Sequence, residues 1–127
     1  MEVYLAERMV IFTRTYDFLT WLIPQTLNFP RSQRFVVTRR LQDAALDFQE
    51  HIIEANRLWG RERLARLRQA DADLDKVRLY LRLAYRWEWL SAGQYGHAAR
   101  FVAEIGRLLG GWKKGTAKRL YGQPAAS

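Results

Sequence analysis

The apolar residues of this chain recur every three to four positions along most of its length, and that period limits the fold more than any other feature. Leu5, Met9, Phe12, Tyr16, Leu19 and Ile23 keep a 4-3-4-3-4 spacing, which lines one stripe of a helix. Thr38, Leu41, Ala45, Phe48, Ile52, Ala55 and Trp59 continue at heptad spacing, and Leu67, Ala70, Leu74, Val77, Leu81 and Ala84 do the same. A fourth seam comprises Ala98, Phe101, Ile105, Leu108 and Trp112. Nothing alternates with period two for long enough to make a strand. The breaks fall between the seams. Pro24 disturbs the end of the first, Pro30 suits a first helical turn, Gly60 marks a stop or kink, and Ser91 with Gln94 has capping-box spacing.

The spacing predicts helices over about residues 4–27, 31–58, 62–90 and 93–112, then a basic tail over 114–127 that is expected to be disordered. A chain of 127 residues holds one core. Four amphipathic segments with short connections predict an all-α fold, an antiparallel up-down four-helix bundle. Apolar residues also lie off the seams, at Val36, Val37, Ile53, Leu79, Tyr80, Leu83, Tyr85, Trp87, Trp89, Val102 and Leu109. A stripe wider than its seam needs a second surface to cover it, so self-association is expected.

Charge is uneven along the chain. Residues 1–60 hold seven Lys/Arg against seven Asp/Glu, and residues 61–127 hold 14 against 6, so the whole formal charge of +8 belongs to the second half. Such asymmetry points to a polyanionic partner, nucleic acid first; a cationic solubility surface is the plainer alternative. With no Cys, the chain has no disulfide, thiol nucleophile or thiolate metal site, which fits a reducing, cytoplasmic setting. Charged residues interrupt the N-terminal apolar stretch, so neither a signal peptide nor a membrane span is indicated.

Catalytic signatures are missing. His51 and His97 lie on different segments with no Cys or nucleophile-elbow Ser, and no Gly-rich loop has Walker or Rossmann spacing. Asp71, Asp73 and Asp75 resemble the start of a calcium loop, but Lys76 stands where the turn needs Gly and Arg82 where a bidentate Glu belongs. These acids read instead as a solvated turn pairing with nearby arginines. No enzyme activity, cofactor or metal is expected.

The cationic residues carry more information. Arg78, Arg82 and Arg86 follow one another at i, i+4 and i+8, which stacks their guanidinium groups on one helical face at about 6 Å per step. That step is close to the phosphate separation along one nucleic-acid strand, and guanidinium forks bind phosphate in pairs of hydrogen bonds. On the same helix Glu88 lies mostly off this line. Lys113 and Lys114 extend the set as part of a flexible arm, and Tyr80, Tyr85, Trp87 and Trp89 lie among the arginines, either to stack bases or to pack in an interface. A second basic stretch, FPRSQRFVVTRRL over residues 29–41, reads differently. Phe35 and Leu41 look like packing residues there, and Asp43 and Asp47 offset its arginines, so it is expected to be a helix start with a solvated face. Gly106 and Gly110 each cost about 1 kcal/mol against Ala in a helix interior. Close approach by a neighbouring helix would offset that cost, which makes Gly106 and Gly110, with Trp112, candidates for helix packing or an oligomer interface.

The runs FPRSQRFVVTRRLQDAALDFQEHIIEANR, ADADLDKVRLYLRLAYRWEWLSAGQY and AARFVAEIGRLLGGWKK, in that order, resemble the Avd family, the accessory variability determinants of diversity-generating retroelements. More distantly, the chain is similar to four-helix proteins encoded by intervening sequences in bacterial ribosomal RNA genes. The first resemblance spans about residues 4–114. It implies a bundle that assembles into a homopentameric barrel, binds the element's reverse transcriptase and its template RNA, and leaves the polymerase chemistry to that partner. It also implies that Arg78 and Arg82 correspond to the family's basic helix-three residues. The second resemblance leaves open a purely structural bundle, or a scaffold for an acidic protein.

Overall fold

In the computed structural model, which describes the backbone of residues 2–122 and the side chains of residues 8–122, the chain forms four long helices. They are α1 (Glu2–Thr26), α2 (Arg39–Arg57), α3 (Gly60–Arg86) and α4 (Ala92–Tyr121). No strand occurs among the described residues. Side-chain contacts fix the directions. Arg8 reaches Asn56 while Gln42 reaches Thr26, so the start of α1 meets the end of α2 and the reverse. Phe12 meets Trp112 and Gln25 meets Gln94, so α1 also runs opposite to α4. Arg66 pairs with Glu54 across α2 and α3, and Lys113 with Asp71 across α3 and α4. Each helix is therefore antiparallel to both neighbours, the up-down bundle that short connections favour.

The core follows the expected seams in the second and third helices, except that Trp59, expected to end the second seam, lies beyond α2 and is 76% exposed. Leu41, Ala45, Phe48, Ile52 and Ala55 of α2 and all six seam residues of α3 are buried. In α1 the buried line is Ile11, Thr15, Phe18, Leu22 and Thr26 instead, with Met9 70% and Tyr16 65% exposed. Leu5 lies outside the described side chains. In α4 the buried set is Ala98, Val102, Ile105, Leu109, Trp112 and Thr116, so Val102 and Leu109 belong to the core, not to an outer face. Thr15 and Thr116 are tolerated inside because each hydroxyl donates to the carbonyl four residues back, Ile11 and Trp112 respectively.

Three features depart from expectation. The second basic stretch does not begin as regular α-helix. Arg31–Gln33 is a 3₁₀ turn and Arg34–Thr38 a π turn, and α2 proper starts at Arg39. Phe35 is 74% exposed and carries the Arg34 guanidinium 5.9 Å from its ring centre, so it is not a packing residue; Leu41 is. The third departure lies at the C-terminus, where α4 continues to Tyr121 through the segment expected to be a tail from residue 114. Residues 123–127 lie outside the described residues.

The α3–α4 connection is tightly built. Glu88 takes a left-handed conformation with φ 63°, the Trp89 N–H donates to the Ala84 carbonyl at 2.8 Å, and the Glu88 N–H to the Tyr85 carbonyl at 3.0 Å. This is the Schellman pattern that satisfies the last carbonyls of a helix. The Ser91 hydroxyl then accepts from the Gln94 N–H at 3.1 Å while the Gln94 side chain accepts from the Ser91 N–H at 2.8 Å, the expected capping box. With both helix ends closed, the aromatic residues that flank the turn are held in place.

Candidate nucleic-acid interface

α3 presents Arg78, Arg82 and Arg86 on one exposed face beside α4. The three are not equivalent. Arg78 donates to the Asp75 carboxylate at 2.8 Å, three residues earlier on the same helix, so its charge is partly offset; the pairing expected of these aspartates with nearby arginines thus takes in Arg78, which was expected to be unneutralised. Arg82 and Arg86 have no carboxylate within ion-pair distance among the described residues. The uncompensated positive charge is therefore centred one to two turns further along the helix than Arg78.

Gly106 explains where Arg78 lies. A β-carbon built on that glycine would stand 2.5 Å from Arg78 Nη2 and 3.5 Å from Leu74 Cδ2. The close approach is made by the guanidinium of the neighbouring helix and not by its backbone. Gly110 has nothing within 4 Å of the same position among the described residues, so no contact among them accounts for it. Trp112 is only 4% exposed and belongs to intrachain packing. Phe12 meets it edge-on at 6.0 Å, and the guanidinium groups of Arg8 and Arg63 lie 5.0 and 5.8 Å from its ring centre. Lys113 is in helix α4 and pairs with Asp71 at 2.6 Å, which removes it from a flexible arm. Lys114 is exposed on the same helix.

The aromatic residues of α3 and of the turn that follows it divide between core and surface. Trp89 and Tyr80 pack against the core, with Trp89 tilted on Phe29 at 5.3 Å. Tyr85 stacks on Tyr95 of α4 with ring centres 4.6 Å apart and planes within 5°. Two adjoining clefts meet beside this pair, sharing Arg82 and Tyr95. The larger, about 430 Å³, is lined by Leu79, Arg82, Leu83, Tyr85, Arg86 and Tyr95. A further basic cleft of about 510 Å³ lies between α1 and α4, where Arg8, Arg107, Lys118 and Arg119 surround Trp112. Sequence reasoning missed it because half of those cations lie in the segment taken for a tail.

The acids read as a solvated turn sit mid-helix and serve different neighbours. Asp71 pairs with Lys113, Asp75 with Arg78, and Asp73 is buried against His51 Nδ1 at 2.5 Å. Burial pushes the Asp73 carboxyl above its ordinary value of 3.8 and Asp47 adds to this, against the opposing hydrogen bond and charge of His51 and the charge of Lys76. A carboxyl whose folded pKa is raised takes up a proton on folding, so ionised Asp73 costs stability at neutral pH, and the cost fades as pH falls through that raised value. Asp73→Asn, which still accepts from His51, is expected to resist urea better than wild type at neutral pH. The gap should narrow as the pH approaches 3.8. Urea melts across that range check the sign, and a gap that widens in acid contradicts it. His97, the other histidine, is wedged between the rings of Trp21 at 4.9 Å and Phe101 at 5.1 Å. Among the described residues no group of three or more His, Cys, Asp or Glu is placed to hold a metal ion, and no helix is long and apolar enough to cross a membrane.

Comparison with solved structures finds a protein of unknown function from the S23 ribosomal protein family of Bacteroides thetaiotaomicron VPI-5482. It superposes with a TM-score of 0.77 over 85% of this chain and 98% of that one, at 20% identity, which is a likeness of fold. A search of curated proteins returns no match. Comparison with protein families matches residues 9–116 to the bAvd-like family, a span that takes in most of all four helices and both clefts beside Arg82. The chain belongs to the bAvd-like family.

Proposed function

We propose that this protein is a non-enzymatic accessory subunit of a diversity-generating retroelement, acting in the cytoplasm. In this reading it binds the element's reverse transcriptase and template RNA through the basic face of α3 and supports mutagenic cDNA synthesis. It does so as a homo-oligomer, a pentamer by family likeness. The observation that carries the reading is the family match over residues 9–116 together with Arg82 and Arg86, two exposed cations of α3 without a carboxylate partner among the described residues. The exposed apolar residues Val36, Ile53 and Trp87 and the open surface at Gly110 support self-association. If five copies assemble, a formal +8 per chain is repeated around the ring, and a weak phosphate contact gains by avidity.

The test is a salt titration of RNA binding with the Arg78→Ala, Arg82→Ala double variant. The variant is expected to keep its helical content and its mass by native mass spectrometry, with and without the polymerase. Its RNA or polymerase association should weaken, and binding of both proteins should fall steeply with salt. An unchanged salt-dependent curve for the double variant overturns the assignment of this face.

A further inference from the structure

The cleft beside Arg82 holds a combination that neither charge nor core packing requires. Tyr85 and Tyr95 come from different helices yet lie parallel, ring centres 4.6 Å apart, and Tyr85 remains 43% exposed. Leu79 and Leu83 supply apolar walls, and Arg82 and Arg86 flank the cleft one helical turn apart. The turn at Glu88 and the capping box at Ser91 hold the two helix ends together, so the tyrosine pair is already ordered before anything binds.

We propose that Tyr85, Tyr95, Arg82 and Arg86 form a stacking site for an unpaired nucleobase of single-stranded RNA, with the two guanidinium groups holding the phosphates on either side of it. This rests on the RNA-binding reading above and adds the mode of recognition. A flat base extends the existing tyrosine stack at little ordering cost, and stacking of this kind tolerates any base because each has a π face. The cleft volume of about 430 Å³ is on the scale of a small-ligand pocket. An amphipathic partner helix needs a groove several turns long, and here the tyrosine pair and the closed α3–α4 turn mark one end. Paired bases are excluded on geometry, because in an A-form duplex both faces of each base are covered and the deep groove is too narrow for side chains to enter.

The probe is a short uridine-rich single-stranded RNA carrying one 2-aminopurine, whose fluorescence falls when it stacks on an aromatic ring, and the same strand annealed to its complement. Wild-type protein is expected to bind the single strand with quenching and the duplex at least severalfold more weakly. Tyr85→Leu is expected to lose the quench and about tenfold in affinity, with Tyr85→Phe retaining both. Arg86→Ala, a change at an exposed side chain with no internal partner among the described residues, should weaken binding while leaving the quench of the bound strand intact. Wild-type binding of single strands with no effect of Tyr85→Leu on affinity or quench, or equal competition by the duplex, overturns the stacking site and leaves RNA binding standing. Loss of polymerase association in Tyr85→Leu with RNA binding unchanged assigns the cleft to a protein and also overturns it. Failure of folded wild type to bind any RNA removes the underlying reading itself.

Discussion

Reversing both charges with Arg82→Glu and Arg86→Glu is expected to reduce RNA affinity about a hundredfold near physiological salt, roughly tenfold for each reversal. The reason lies in which arginines are already spoken for. Asp75 holds Arg78 at 2.8 Å, so its positive charge reaches a polyanion diminished, whereas Arg82 and Arg86 have no such carboxylate among the described residues. Substituting Arg78 alone should therefore cost less than substituting Arg82 alone. Losing two phosphate contacts should also flatten the dependence of log affinity on log salt by about 1.4 for a single strand. Both arginine side chains are exposed, so circular dichroism and native mass should stay those of wild type. Electrophoretic or anisotropy titrations at several salt concentrations measure the loss and the slope together. A large loss of affinity with an unchanged slope would mean that the two residues act on something other than phosphate.

The second large effect concerns the fold. Trp112→Ala is expected to cost about 3–5 kcal/mol of stability and to lower the melting temperature by more than about 10 °C. The indole is 4% exposed and joins α4 to Phe12 of α1, with Arg8 and Arg63 against its ring. Truncation empties the place where α1, α3 and α4 meet. Trp112→Phe should cost much less, about 1–2 kcal/mol, because the buried Nε1 makes no hydrogen bond to the described residues that Phe would forfeit. Thermal and urea unfolding of the two variants separate these outcomes. Similar destabilisation by both would show that the indole nitrogen contributes more than packing.

How much of this could be read beforehand varies helix by helix. In α2 and α3 the heptad seam is the most regular apolar pattern, although Ile53, Leu79 and Tyr85 lie outside it, so spacing alone selected their buried faces down to Ile52 and Val77. α1 is apolar on more than one side. Spacing chose the stripe of Met9 and Tyr16, but packing buried the neighbouring line of Ile11, Phe18 and Leu22 and admitted Thr15 because its hydroxyl is satisfied locally. The end of α4 was misjudged on composition. Gly110, Gly111 and Gly115 are poor helix formers, yet Trp112 and Thr116 are buried in the bundle and carry the helix past them. At the site, the arginine line followed from spacing, and so could the pairing of Arg78 with Asp75 three residues earlier. The tyrosine stack and the contact of Arg78 with Gly106 could not, because each depends on the register of two helices that no local pattern encodes.

That last contact has an effect on sequence change. A methyl group at position 106 would take space that the Arg78 guanidinium now fills, and that guanidinium, the far end of a flexible side chain, can swing aside to give it up. Shortening the side chain at 78 reopens it. Added bulk at 106 therefore acts chiefly by redirecting the positive charge carried at 78, and leaves the spacing of the two helices as it is.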